Sequence, residues 1–178
     1  MKKLFILFSV FFILNSFGQV KLGLNGNVFI PIAFLNQNQT YSRSIGLGLS
    51  AKYIINDSYV VGAFGSFNIS NNNVPGSTGL LTNYGLSFEY IFQKSSLSPY
   101  IGSDIGYYNS SQASNFGFGG ANNFRGIGIA PNLGVIYEFS ETLSLDVNLK
   151  FHHIFFSPGD VNLFSISAGI VYKFPKNE

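Results

Sequence analysis

From Gln19 onward the chain is a succession of stretches in which apolar and polar residues alternate with a period of two. That period marks strands with two unlike faces. The alternation predicts eight strands, at 20–30, 43–55, 59–70, 80–92, 99–109, 126–139, 143–153 and 162–174. Each is close to the roughly 9–11 residues that a tilted strand needs to cross a bilayer. In the second, Ile45, Leu47, Leu49, Ala51, Tyr53 and Ile55 oppose Ser44, Gly46, Gly48, Ser50, Lys52 and Ile54. In the seventh, Leu143, Leu145, Val147, Leu149 and Phe151 oppose Ser144, Asp146, Asn148, Lys150 and His152. The connections alternate in length. Asn56 to Ser58, Gln93 to Ser98 and Ser140 to Thr142 are short and rich in turn residues, whereas Pro31 to Ser42, Asn71 to Gly79, Ser110 to Arg125 and Ile154 to Val161 are longer. Short turns at one end and long loops at the other are the pattern of an outer-membrane barrel, and an even strand count puts both termini on the short-turn, periplasmic side.

A soluble sandwich would also alternate, with its apolar face inward. Three features separate the two cases. The polar face is built of Gly, Ser and Asn, which suit the crowded lumen of a narrow barrel better than a solvated sheet. Charge keeps to that face: Lys21, Lys52, Glu89, Asp104, Glu138, Asp146, Lys150 and Lys173 share its parity, and the apolar parity carries Arg43, at a strand end. A basic residue in the lipid-facing midplane costs about 2–4 kcal/mol, so its absence there is what lipid exposure predicts. Aromatics of the apolar parity sort by strand end. Tyr53, Tyr59, Tyr90, Phe92, Tyr137, Phe139, Tyr172 and Phe174 lie beside the short turns or the C-terminus, and Phe67, Tyr84, Tyr107, Phe151 and Phe164 lie toward the long loops. Two aromatic girdles around an aliphatic band are expected of a membrane barrel.

Composition agrees. Charged residues are 10% of the 178 and aromatics 17%, with 20 Gly. A soluble surface would need more charge. Cys is absent, which excludes a disulfide framework, a thiolate metal site and a lipidated cysteine. Lys2-Lys3, the apolar run Leu4 to Leu14 and the small-x-small triplet Ser16-Phe17-Gly18 form a signal peptide over 1–18, with Gln19 the first mature residue. Its removal leaves a chain, 19–178, of zero formal charge, which gives no support for a nucleic-acid partner. No later run is apolar over ~18 residues, so a membrane location requires a closed barrel.

The fifth strand reads Pro99-Tyr100-Ile101-Gly102-Ser103-Asp104-Ile105-Gly106-Tyr107-Tyr108. It resembles the "PY-x-G-x-G-x-GY" strand of small outer-membrane barrels, the porin-family, OmpA/OmpX-like "outer membrane protein β-barrel domain" type. The likeness covers 19–178 up to Val171-Tyr172-Lys173-Phe174 and departs at Asp104, where Gly is usual, and in the four residues after Phe174. It implies an all-β, eight-stranded antiparallel up-and-down transmembrane barrel in a bacterial outer membrane. It also implies contact with outer-membrane lipid and lipopolysaccharide and recognition of a terminal aromatic by the barrel insertion machinery. It says little about activity.

The inward charges are candidates for either a structural ion-pair network or a gated path, and an eight-stranded interior is just wide enough for side chains to fill. Phe29, Phe64, Tyr100, Tyr108 and Ile136 also point inward on parity. His152 is expected in the lumen and His153 outside, so the two cannot chelate one metal from one strand. The nearest Ser after them, Ser157, and the distant Glu138 do not make the His–Ser–acid set of a lipid-modifying enzyme. The Gly-rich run Asn115 to Asn123 lacks the following helix and Lys of a phosphate cradle. Asn68-Ile69-Ser70 carries no weight as a glycosylation motif in a bacterial chain. The chain therefore reads as a non-enzymatic barrel with a structural or surface-interaction role through four long loops. The alternatives are a narrow passage for ions or small solutes and, behind that, a lipid-modifying enzyme. No cofactor or metal is called for, and the loop partner is not encoded in any motif.

Overall fold

A computed structural model describes residues 19–32, 43–56, 58–71, 77–114, 124–157 and 160–175. Eight strands follow one another: β1 (Gln19–Pro31), β2 (Ser44–Ile54), β3 (Tyr59–Asn71), β4 (Ser77–Ile91), β5 (Leu97–Ser114), β6 (Phe124–Glu138), β7 (Leu143–Phe155) and β8 (Val161–Lys173). Each pairs antiparallel with its neighbours in the chain, and β1 pairs with β8, so the sheet closes into a barrel. Following the register from Val171 through Gly23, Ser50, Phe64, Gly85, Gly106, Gly128 and Ile154 returns to β8 at Val161, ten residues along. Such a stagger tilts the strands by about 35–45° from the barrel axis.

The alternation reports which part of each strand meets lipid, not where pairing stops. β4 begins at Ser77 instead of 80, and β5 extends to Ser114 instead of ending at 109. Ser77 pairs with Ser114 and Gly79 with Gln112. Backbone hydrogen bonds carry the hairpin past the last apolar position, so the long connections between β3 and β4 and between β5 and β6 are shorter than the polar sequence suggests. Arg125, expected in a loop, lies within β6 on the outward parity, so Arg43 is not alone there. Both sit at strand ends, where a guanidinium reaches the polar interface. The Arg125 Nε donates to Asn109 Oδ1 at 3.1 Å.

Short turns are locked by their own side chains. Asn56 Oδ1 accepts from Ser58 N at 3.0 Å and Tyr59 N at 2.9 Å, an Asx turn. Ser98 Oγ donates to Ser95 O and accepts from Ser95 N, and Ser140 Oγ accepts from Leu143 N at 3.1 Å. At the same end the chain closes on itself: Phe174 N donates to Val20 O at 3.0 Å and Gln19 Nε2 to Phe174 O at 3.2 Å.

The outer surface is apolar. Leu47, Leu49, Leu86, Ile101, Ile105, Leu133 and Ile170 are among the large exposed side chains. The aromatics bound this band. Near the short turns Tyr90–Phe92, Tyr137–Phe139 and Tyr172–Phe174 each make an edge-to-face pair at 5.0–5.4 Å, Tyr59 packs on Tyr90 at 5.2 Å, and Tyr53 follows on β2. Toward the other end Tyr84 meets Tyr107 at 5.7 Å, with Phe67 and Phe151 exposed.

β6 holds an irregularity. Pro131 keeps its partner Ser103 on β5, but the positions pairing Ala130 with His152 and Pro131 with Phe151 are missing from the β6–β7 ladder. Proline has no N–H to give β7.

Candidate functional site in the lumen

The inward side chains stack in layers. Near the short turns Ile54, Val60, Ile91, Tyr100 and Ile136 form one buried apolar cluster. Near the long connections Phe29, Leu81, Tyr108, Ile154, Val161 and Leu163 form another, with Phe156 packed against it. Polar side chains fill the length between them.

The lower polar layer is centred on Lys52. Its ammonium lies 2.7 Å from Glu89 Oε1 and 3.0 Å from Asp146 Oδ2. The Tyr100 hydroxyl donates to the other Asp146 oxygen at 2.7 Å. One layer up, Lys150 reaches Asp104 Oδ2 at 2.6 Å, and Asn132 Nδ2 donates to Asp104 Oδ1 at 3.3 Å. Lys150 also stands 5.5 Å above the Phe64 ring. At the short-turn mouth Lys173 lies 3.8 Å from Glu138. Ions taken out of water need partners of this kind, because an unpaired buried charge is strongly destabilising.

Space for these contacts comes from inward glycines. A methyl on Gly134 would stand 2.5 Å from Tyr100 Cζ, and one on Gly128 would stand 2.9 Å from Tyr108 Cε2. Each glycine leaves space that a tyrosine ring occupies.

Above the ion pairs runs a hydrogen-bonded chain. Tyr108 Oη lies 2.8 Å from His152 Nδ1, and His152 Nε2 lies 2.7 Å from Ser165 Oγ. All three are buried. The Phe29 ring covers the imidazole at 5.0 Å. Ser66 and Asn83, Asn25 and Asn27, and Ser167 and Asn148 make further side-chain pairs. A cavity of about 60 Å³ in the lumen touches Asn25, Lys52, Glu89, Lys150 and His152. That is room for ordered water among the polar side chains. Among the described residues Glu89 Oε2 has no hydrogen-bond partner.

All eight charges singled out from the sequence turn inward. The fold joins Lys52 with Glu89 and Asp146, Lys150 with Asp104, and Lys173 with Glu138. Lys21 is buried beside them without an ion-pair partner among the described residues. Sequence reasoning missed the hydrogen bonds of Tyr100, Tyr108 and Ser165. Their inward parity is legible, but the contacts span 46, 44 and 13 residues and need the register. His153 points outward, 2.8 Å from Asn162 Oδ1 and 3.4 Å from Asp160 Oδ2. Glu138 stands at the far end of the lumen, so no His–Ser–acid set assembles from it. Among the described residues no three His, Cys, Asp or Glu side chains gather as a metal site. The Gly-rich run 115–123 and residues 1–18 lie outside the described residues, and Asn68 is fully buried in the lumen.

A closed eight-stranded barrel with an apolar belt, aromatic borders and a polar, ion-paired interior is a transmembrane barrel of the outer-membrane class. The comparisons agree. Neisserial surface protein A superposes with a TM-score of 0.69 at 21% identity, over 89% of this chain and 98% of that one. OprG from Pseudomonas aeruginosa gives 0.61 at 17%, over 89% and 97%. Ail of Yersinia pestis, solved with the heparin analogue sucrose octasulfate, gives 0.56 at 14%, over 88% and 97%. At these identities the likeness shows the fold. A comparison with curated proteins gives no match. Residues 51–174 match the family described as Opacity family porin protein, and the chain belongs to that family.

Proposed function

We propose that this outer-membrane barrel is non-enzymatic and acts at the cell surface through its four long connections, with both termini in the periplasm. The observation that carries this is the side-chain-filled lumen: two apolar clusters stand at opposite ends of an ion-pair network, and the cavity between them measures about 60 Å³. A barrel so filled has its variable, accessible surface in the connections. Segments 33–42, 72–76, 115–123 and 158–159 contain no Asp, Glu, Lys or Arg and are rich in Asn, Gln, Gly and Phe. A polyanion such as the heparin analogue bound by Ail is gripped by clustered basic residues. At this end Arg43 and Arg125 stand singly at strand ends and form no cluster, which favours a largely uncharged polar partner. The apolar belt and its aromatic borders fit contact with outer-membrane lipid and lipopolysaccharide, and Phe174 at the closure fits recognition by the barrel insertion machinery.

A second reading, a narrow passage for ions or small solutes, draws on the polar walls of the cavity. Planar-bilayer recording of the refolded protein separates the two. The surface role predicts no steady conductance. A steady conductance lost in Lys52→Met or Glu138→Gln would replace it with the passage.

A further inference from the structure

We propose that Lys21 is the centre of a binding site for a small oxyanion, of the phosphate or carboxylate class, at the short-turn mouth of the lumen. The register sets Lys21 between Lys52 of β2 and Lys173 of β8, and all three side chains turn inward. Among the described residues the lumen holds four lysines and four carboxylates, but they are shared unevenly. Lys52 takes two of the acids, Glu89 and Asp146, at 2.7 and 3.0 Å. Lys150 holds Asp104 at 2.6 Å. Lys173 reaches Glu138 at 3.8 Å, beyond hydrogen-bond distance. That leaves Lys21 with no carboxylate within 4.0 Å among the described residues, although it is only 5% exposed.

A buried ammonium is held by a counter-charge or by dense hydrogen bonding. Its own surroundings offer little of either. Glu138 and Glu89 act on it only from beyond 4.0 Å and are opposed by Lys52 and Lys173 on the flanking strands, and Val171, Ile54 and Ile136 are buried at the same end. An anion entering from the mouth would pass Lys173 and Glu138, both partly exposed, and reach Lys21 behind them, with Lys173 beside it. Each ammonium has three N–H donors and so can hold more than one oxygen of a tetrahedral or planar oxyanion. A lipid headgroup is not the favoured source, because Lys21 faces the lumen while its chain neighbours Val20 and Leu22 carry the outward parity. The compartment that supplies the anion follows from the orientation proposed above, but the site itself does not depend on it.

The test uses the full mature chain refolded in dodecyl maltoside, a detergent without phosphate, with ¹⁵N-lysine labelling. Inorganic phosphate is titrated at constant ionic strength. One lysine side-chain resonance is expected to shift saturably, and the thermal transition of gel mobility to rise. In Lys21→Met that resonance should vanish and the apparent affinity fall at least tenfold. Lys173→Gln, at the rim, should weaken it severalfold without loss of folding. In phosphate-free medium Lys21→Met should be at least as heat-resistant as the parent, whereas Lys52→Met should be less so, because only Lys52 leaves partners behind. A linear drift identical with chloride would mean a water-solvated ammonium and overturn the site, as would an undiminished phosphate response in Lys21→Met. A response to phosphatidylglycerol micelles without one to inorganic phosphate would overturn it in favour of a lipid contact.

Discussion

Lys52 is held by groups from three other strands: Glu89 of β4, Tyr100 of β5 and Asp146 of β7. The value of such a node is best measured by breaking it. Removing one partner of a buried pair leaves the other uncompensated and costs about 3–5 kcal/mol, whereas removing both with apolar residues of similar volume is often neutral. For Asp104 and Lys150 this predicts that Asp104→Leu and Lys150→Met are each strongly destabilising and that the double variant recovers most of the loss, as read from urea titration of folded, heat-modifiable protein in vesicles. If the losses were additive, the pair would not be coupled. Gly134→Ala carries a second prediction. Its methyl would fall 2.5 Å from the Tyr100 ring and push the hydroxyl off Asp146. Overpacking of this kind costs about 1–3 kcal/mol, and Tyr100→Phe should account for part of it. An unchanged midpoint for Gly134→Ala would show that the ring has room to move. At this scale the sequence revealed which side chains are inside, since parity does that unaided. It did not reveal who meets whom. Ser165 sits opposite Lys150 by register, yet its hydroxyl bonds His152, a diagonal contact that depends on tilt as well as pairing.

A strand in this barrel has to satisfy two solvents and one ladder. Its outward residues decide how it sits in lipid. Leu49, at the middle of β2 and exposed on the belt, is a position where arginine should cost about 2–4 kcal/mol, whereas the same change at Phe139, beyond the end of β6, should cost about 0–1 kcal/mol. Equal costs at the two depths would mean that the belt does not face a bilayer. The ladder obeys a different rule. Pro131 passes for an ordinary outward residue in the sequence because alternation is blind to N–H groups, and the missing pairs appear only against β7. Pro131→Val should restore a donor and add about 0.5–1.5 kcal/mol, with slower amide exchange confined to β6 and β7. Exchange that slows throughout the barrel, or not at all, would count against a local repair. The same blindness explains the strand ends. The tops of β4 and β5 are Ser, Thr and Gln in a paired hairpin, so a reading based on apolar positions stops too early.

Architecture was the most legible level. Closure, strand number and the segregation of charge follow from three rules acting together: two-residue alternation, the absence of a lipid-tolerant edge, and the cost of charge in hydrocarbon. Task was the least legible, since a family fold can serve many roles. The uneven sharing of lumen carboxylates, in which one lysine takes two and another none, depends on which strands face each other across the interior. No one-dimensional pattern carries that.

Seven of the eight ladders join strands consecutive in the chain, and the eighth joins β1 to β8 from its two ends. The seven can form as local hairpins, whereas the eighth must wait for nearly the whole chain to exist. Until then every copy carries two complementary free edges, and the β8 edge of one molecule fits the β1 edge of another with the same residues and register that would close itself. The barrel's commonest wrong partner is therefore its own sequence, and crowding governs the choice. Refolding at rising protein-to-detergent ratio should shift material from the compact monomer to strand-exchanged oligomers of unchanged β content, and dilution before closure, but not after it, should bring the monomer back.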